Sequence, residues 1–239
     1  MQWKGSDINA MLDRIEELME GVRHVSNTIA QNLRTPLSRV RGHLDEALRA
    51  NDSGKPLAEA SQRAIQEVDA LVIVLEKVLQ ISEAESGTRR QPFEWVHLRE
   101  VVANVVELYD ALAEEQGVKL LTRIEGDPKT LGDRHLLAIA LANLIDNALK
   151  YGCGCVTIGV HAVLPGRVTL TVRDEGPGIP AEERPRVLQR FYRLNDRVPG
   201  TGLGLSIASA IAHLHGASLC LEDAVSGLLV RVDLPITPP

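Results

Sequence analysis

A single apolar stripe runs from Ile8 to Leu48, longer than an ordinary globular helix carries. Ile8, Met11, Leu12, Ile15, Leu18, Met19, Val22 and Val25 recur at three- and four-residue steps. The stripe resumes through Ile29, Leu33, Leu37, Val40, Leu44 and Leu48. This spacing predicts one long helix over residues 7–50, of the kind that packs in coiled coils or bundles. Pro36 removes the hydrogen bond to the carbonyl of residue 32 and is expected to bend the helix there. Asn51-Asp52-Ser53-Gly54-Lys55-Pro56 is a turn by composition. Residues 57–86 read as a second helix, with Ile65, Val68, Leu71, Val72, Leu75, Val78, Leu79 and Ile81 on one face. One hairpin cannot bury two such stripes. Two hairpins related by a twofold axis can, as a four-helix bundle, so a homodimer is expected through this region.

Composition narrows the remaining classes. The chain has 239 residues, 44% hydrophobic and only 3% aromatic, so its core must be aliphatic. A net charge of −6 argues against broad nucleic-acid binding. Cys153, Cys155 and Cys220 have no second pair or histidine cluster beside them, and read as reduced thiols rather than metal ligands. No apolar run approaches the roughly 20 residues needed to span a bilayer, and the start shows no signal-peptide pattern.

Gly87 to Pro92 is polar and is taken as the linker to a second domain. Beyond it, helices are expected over residues 98–116, 133–151 and 204–215, and strands over 118–124, 155–163, 167–174, 217–222 and 227–234. The last two strands close as a hairpin around Ser226-Gly227. Hairpins with interspersed helices imply an α+β sandwich with helices on one face.

Four segments in this half carry the chemistry. Asn143-Leu144-Ile145-Asp146-Asn147-Ala148-Leu149-Lys150-Tyr151 places two asparagines one helical turn apart. Amide oxygens suit Mg²⁺, which prefers oxygen donors and substrate phosphates, and Lys150 is in reach of a phosphate. Asp174-Glu175-Gly176-Pro177-Gly178-Ile179 follows a strand, where a carboxylate can accept from an amino group and glycines admit a close approach. Arg190-Phe191-Tyr192-Arg193 sets cations around two aromatics that can anchor a lid. Gly200-Thr201-Gly202-Leu203-Gly204-Leu205 opens a helix, whose first N–H groups can face an anion. Singly, each has a plain structural reading: a helix cap, an acidic turn, a buried aromatic pair, a loop.

In this order and spacing, the four resemble the ATP-binding domain shared by histidine kinases, DNA gyrase, heat-shock chaperone ATPases and mismatch-repair ATPases, the Bergerat fold. The resemblance covers residues 93–237. It implies Mg²⁺ on Asn147, with Asn143 as a second candidate, and adenine on Asp174 with Gly176 and Gly178. It implies phosphates near Lys150, Arg193 and the loop of Gly200, Thr201, Gly202, Leu203 and Gly204, with Tyr151, Ile179 and Leu205 also in the ATP site and residues 194–199 as a short lid.

The front half selects one branch. Gln31-Asn32-Leu33-Arg34-Thr35-Pro36-Leu37 resembles the phosphoacceptor segment of sensor histidine kinases, H-[EDN]-L-R-T-P-L. The resemblance implies a HAMP-like helix over residues 1–22, a dimerisation and phosphotransfer hairpin over 23–86, the linker 87–92 and the catalytic domain over 93–239. It also implies a response-regulator receiver domain as partner. The chain then reads as the cytoplasmic part of a receptor set in a bacterial inner membrane. Gln31 stands where the acceptor histidine is expected. An amide neither titrates near neutrality nor attacks phosphorus well, so autophosphorylation is expected to be lost. Asn32 replaces the usual carboxylate base and can only orient. Thr35 keeps the position from which water is aimed at a phosphorylated regulator, which keeps a phosphatase or regulator-binding role open. Gln31 is either a substitution that freezes one state or the native residue of a degenerate kinase. His24 and His43 precede no matching motif and read as surface residues; His97, His135, His161, His213 and His215 read as structural. A gyrase-type hydrolase is disfavoured, because Asn143 sits where its glutamate base belongs.

Overall fold

The computed structural model describes residues 93–236, apart from residues 165, 196, 197 and 199. The helices expected over 7–50 and 57–86, the dimeric bundle, the linker 87–92, Gln31, Asn32 and Thr35 lie outside the described residues.

Strands and helices follow one another as β1 (Glu94–His97), α1 (Leu98–Glu115), β2 (Lys119–Ile124), β3 (Lys129–Gly132), α2 (Arg134–Tyr151), β4 (Cys155–Leu164) and β5 (Arg167–Arg173). They continue as α3 (Arg184–Val187), α4 (Gly204–Leu214), β6 (Ser218–Asp223) and β7 (Leu228–Pro235). Five strands make one sheet in the order β2-β4-β5-β7-β6, and β1 pairs with β3 apart from it. Only β2 and β4 run parallel in the large sheet; the other neighbours are antiparallel.

Alternation along the strands sets the layers. Val156, Ile158 and Val160 of β4, Val168, Leu170 and Val172 of β5, and Leu228, Val230, Val232 and Leu234 of β7 are all buried. Register aligns these rows, as in Val172 opposite Val230 and Ile158 opposite Val172. The three long helices pack against the sheet and against each other. Burying each such aliphatic side chain is worth about 1.5–3 kcal/mol, which lets a domain with few aromatics hold together. The expected sandwich and its three long helices stand. The two short strands β1 and β3 and the one-turn α3 had no expectation, being four residues each and too short to show a period.

Two local devices fix α2, the helix that carries the asparagines. Asp133 caps it, with Oδ1 accepting from the N–H groups of His135 at 2.8 Å and Leu136 at 3.1 Å. His215, fully buried, accepts from the Asp133 N–H through Nε2 at 3.0 Å, and its Nδ1 lies 2.8 Å from the Ile211 carbonyl. Those partners require the neutral ring with its proton on Nδ1. Phe93 stacks on that ring at 4.8 Å. Burial above all pushes the His215 pKa down from its ordinary value, against smaller opposing effects from the Ile211 carbonyl and Asp133. A depressed folded-state pKa means the unfolded chain takes the proton first. The stability this residue contributes is present above the unfolded pKa of about 6.5 and is lost as pH falls from there towards the folded value. His215→Gln keeps a donor and an acceptor but cannot titrate. Thermal melts from pH 7 down to pH 5 are expected to fall less steeply for this variant than for the unaltered chain. Equal slopes would show that the ring titrates freely.

Candidate functional site

The chain leaves the sheet at the end of β5, and the first residue out is Asp174, only 6% exposed. Its backbone still follows β7, with the Asp174 N–H donating to the Leu228 carbonyl at 3.0 Å. Its Oδ1 accepts from the N–H groups of Gly176 at 2.8 Å and Leu228 at 3.2 Å. The carboxylate is thereby locked, and Oδ2 has no hydrogen bond among the described residues. Glycines make room for it. A Cβ on Gly227, whose φ is +90°, would lie 2.2 Å from the Asp174 carbonyl oxygen, and one on Gly152 would lie 2.8 Å from the Asp174 Cβ. Arg184 holds the outgoing segment, donating through Nε to the Ile179 carbonyl at 3.0 Å and pairing with Asp223 on β6. Sequence reasoning missed Gly152, Gly227 and Arg184 as site residues.

A cleft of about 510 Å³ opens beside Asp174. Leu144, Val172, Ile179, Val187, Leu228 and Val230 give it an apolar side. Asp146, Asn147 and Lys150 from the last turns of α2 give it a polar side, with Tyr151 beside them. Gly200, Thr201, Gly202, Gly204 and Leu205 line it from the glycine-rich loop. The loop lies so close to α2 that a Cβ on Gly204 would sit 3.1 Å from both amide atoms of Asn147. The helix α4 that begins there has Leu203 as its N-cap and no side-chain cap bond, so its first N–H groups remain for a ligand.

The lid is pinned at its base. The Phe191 N–H donates to the Gly202 carbonyl at 2.9 Å, and Phe191 adopts a φ of +63°, a strained value for an aromatic residue. The Tyr192 hydroxyl donates to Glu183 Oε2 at 2.6 Å, and Arg186 stacks over its ring at 4.7 Å. The Glu183 carboxylate is the main cause that raises the Tyr192 pKa, since its hydrogen bond favours the protonated phenol. Arg193 lines the cleft but braces the lid, donating to the carbonyls of Val198 at 2.5 Å and Asn195 at 3.3 Å.

Most expected site residues converge on this cleft: Asn147, Lys150, Tyr151, Asp174, Gly178, Ile179, Arg193, Gly200, Thr201, Gly202, Gly204 and Leu205 line it. Three do not. Asn143 is 7% exposed and donates to the Ile139 carbonyl one turn back, at 2.9 Å, so the helix interior holds it. Leu203 is fully buried in the core. Gly176 lies behind Asp174, where a Cβ would meet the Tyr151 carbonyl at 2.5 Å. Of the expected lid residues 194–199, Asp196, Arg197 and Pro199 lie outside the described residues.

The polar side suits a cation only in company. Asn147 offers an amide oxygen and Asp146 a carboxylate, and no group of three or more His, Cys, Asp or Glu suited to a metal occurs among the described residues. Mg²⁺ held here would need oxygens from a phosphate ligand to complete its shell.

Comparison with known proteins agrees with this geometry. Residues 132–238 match the family described as "Histidine kinase-, DNA gyrase B-, and HSP90-like ATPase". The chain is 30% identical over 233 residues to sensor histidine kinase CusS of Escherichia coli O6:H1, covering 95% of this chain and 48% of CusS. It is 31% identical over 244 residues to sensor protein kinase PmrB of Pseudomonas aeruginosa, covering 98% of this chain and 50% of PmrB. It thus spans about half the length of the curated relatives it matches. Among solved structures, histidine kinase ThkA in complex with response regulator protein TrrA shares the fold, at 20% identity and a TM-score of 0.72, over 99% of this chain and 67% of ThkA. A cleft built around one locked carboxylate, and the family match over residues 132–238, give the carboxy-terminal half an ATP-binding domain of this type, on a chain similar to sensor histidine kinases along nearly its whole length.

Proposed function

We propose that this chain is the cytoplasmic core of a two-component sensor kinase that binds Mg²⁺-ATP but is blocked at the acceptor step by Gln31. The observation that supports it most is Asp174, with one oxygen fixed by two backbone donors and the other left for a ligand on an apolar cleft wall. Such a group reads the amino edge of adenine. The base then lies along Val172, Ile179 and Val230, and the phosphates run towards Asn147, Lys150 and the glycine-rich loop. Bound Mg²⁺ supplies charge neutralisation at the phosphate oxygens. The protein's own part is positioning. Asn147 and Lys150 present an amide and an ammonium from one helix end, and Tyr192, Arg193, Leu194 and Asn195 also line the cleft.

In the family reaction an imidazole nitrogen forms a bond to the terminal phosphorus, and the phosphorus–oxygen bond to ADP breaks. Gln31 offers no such nitrogen. Calorimetric titration of Mg²⁺-ATP into the full chain is expected to show one binding site, while incubation with γ-labelled ATP leaves no acid-labile label. Absence of any heat of binding would overturn the reading.

A second reading rests on Thr35, which the sequence retains next to Pro36. The pairing of ThkA with a response regulator in its crystal points to a receiver domain as the partner to try. Phosphate loss from a phosphorylated receiver domain would be faster with this chain and slower again with Thr35→Ala; no acceleration would discard this role. Homodimerisation through residues 23–86, and a membrane-anchored parent protein in a bacterial inner membrane, belong to the same proposal. No helix among the described residues is long and apolar enough to cross a membrane.

A further inference from the structure

Asp146 is the one acidic residue on the polar side of the cleft. It precedes Asn147, lines the cleft, and carries a negative charge where a polyphosphate must go. Its Oδ2 lies 2.7 Å from the Nζ of Lys150, one helical turn on, and its side chain is 25% exposed. The cation that should meet a phosphate is therefore engaged by a neighbouring carboxylate before any ligand arrives. Both consequences oppose a bare polyphosphate: Asp146 repels it directly and withholds Lys150 from it.

A divalent cation reverses both effects. The magnesium complex carries less negative charge than free ATP, and a cation beside Asn147 turns a nearby carboxylate from a repulsive neighbour into an attractive one. Lys150 is then released towards the phosphates. We infer that Asp146 is a specificity-determining residue that makes nucleotide binding depend on Mg²⁺, by holding Lys150 and repelling the metal-free nucleotide. This inference rests on the ATP-binding reading and deepens it.

The geometry separates this role from a structural one. The Asp146–Lys150 pair is partly exposed on a helix end, and such i,i+4 pairs contribute little to folding. Asn at this position keeps the shape and removes the charge.

Binding of ATP to the full chain, measured with excess Mg²⁺ and again with EDTA, tests the inference. The unaltered chain is expected to lose most of its affinity in EDTA. Asp146→Asn is expected to bind metal-free ATP about tenfold more tightly than the unaltered chain and to bind ATP in Mg²⁺ more weakly than it, so that the ratio of the two affinities shrinks. Asp146→Ser should repeat the effect, and adding Lys150→Met to Asp146→Asn should remove most of the gain. An unchanged ratio in both single variants overturns the role of Asp146 and leaves the ATP site standing. Failure of the unaltered chain to bind ATP even in Mg²⁺ overturns the ATP reading itself, and this inference with it.

Discussion

Asp174→Asn is expected to weaken ATP binding by about 100-fold while leaving the domain folded. The two carboxylate oxygens of Asp174 serve different partners. Oδ1 serves the protein, accepting from Gly176 and Leu228, and an asparagine carbonyl oxygen can keep both bonds. The second oxygen becomes an NH₂ group, which meets the adenine amino group donor to donor. Losing a hydrogen bond to a charged acceptor and burying an unmatched donor costs about 1.5–3 kcal/mol in total or more, which corresponds to roughly ten- to more than a hundredfold in affinity. Asp174→Ala removes both services. It leaves the Gly176 and Leu228 N–H groups without their acceptor in a site 6% exposed, so binding and melting temperature should fall together. Each orphaned donor costs about 1–3 kcal/mol. Titration calorimetry and a melt on both variants separate the two effects. Asp174→Asn binding ATP as tightly as the unaltered chain would remove Asp174 from the base-recognition role.

Much of this site is legible from residue types and spacing. Asp174 stands out because two carboxylates, Asp174 and Glu175, followed by Gly-Pro-Gly end a strand, and the loop of Gly200 to Gly204 stands out because glycines open a helix. The asparagines show where such reading stops. Asn143 and Asn147 are one turn apart, so periodicity assigns them one face. Yet α2 is packed along most of its circumference, with Leu137, Leu141, Leu144, Ile145, Ala148 and Leu149 all buried. Only its last turns emerge into the cleft. Depth along the helix, rather than its face, separates the two, and depth is a tertiary quantity.

Gly152 and Gly227 fail for a related reason. Each reads as an ordinary turn glycine, yet Gly227 is demanded by Asp174, distant in sequence, and Gly152 by Asp174 together with the Ala148 carbonyl one turn back. Arg184 likewise looks like one charge in a polar run until the fold brings Ile179 and Asp223 to it. The sheet order hides in the same way. Hairpins β4–β5 and β6–β7 follow from adjacent alternating runs. The pairing of β5 with β7, which places Leu228 on Asp174, joins segments separated by the lid and α4.

The proposal as a whole is that the catalytic domain is competent and the acceptor is missing. Gln31→His tests both halves in one measurement. The full chain and the variant are each incubated with Mg²⁺ and γ-labelled ATP, and phosphoprotein is measured before and after acid. The histidine variant is expected to acquire acid-labile label, to lose it when Asp174→Asn is added, and to stand far above the unaltered chain, which stays at background. Label on the unaltered chain, or none on the histidine variant when it demonstrably binds ATP, would contradict the account.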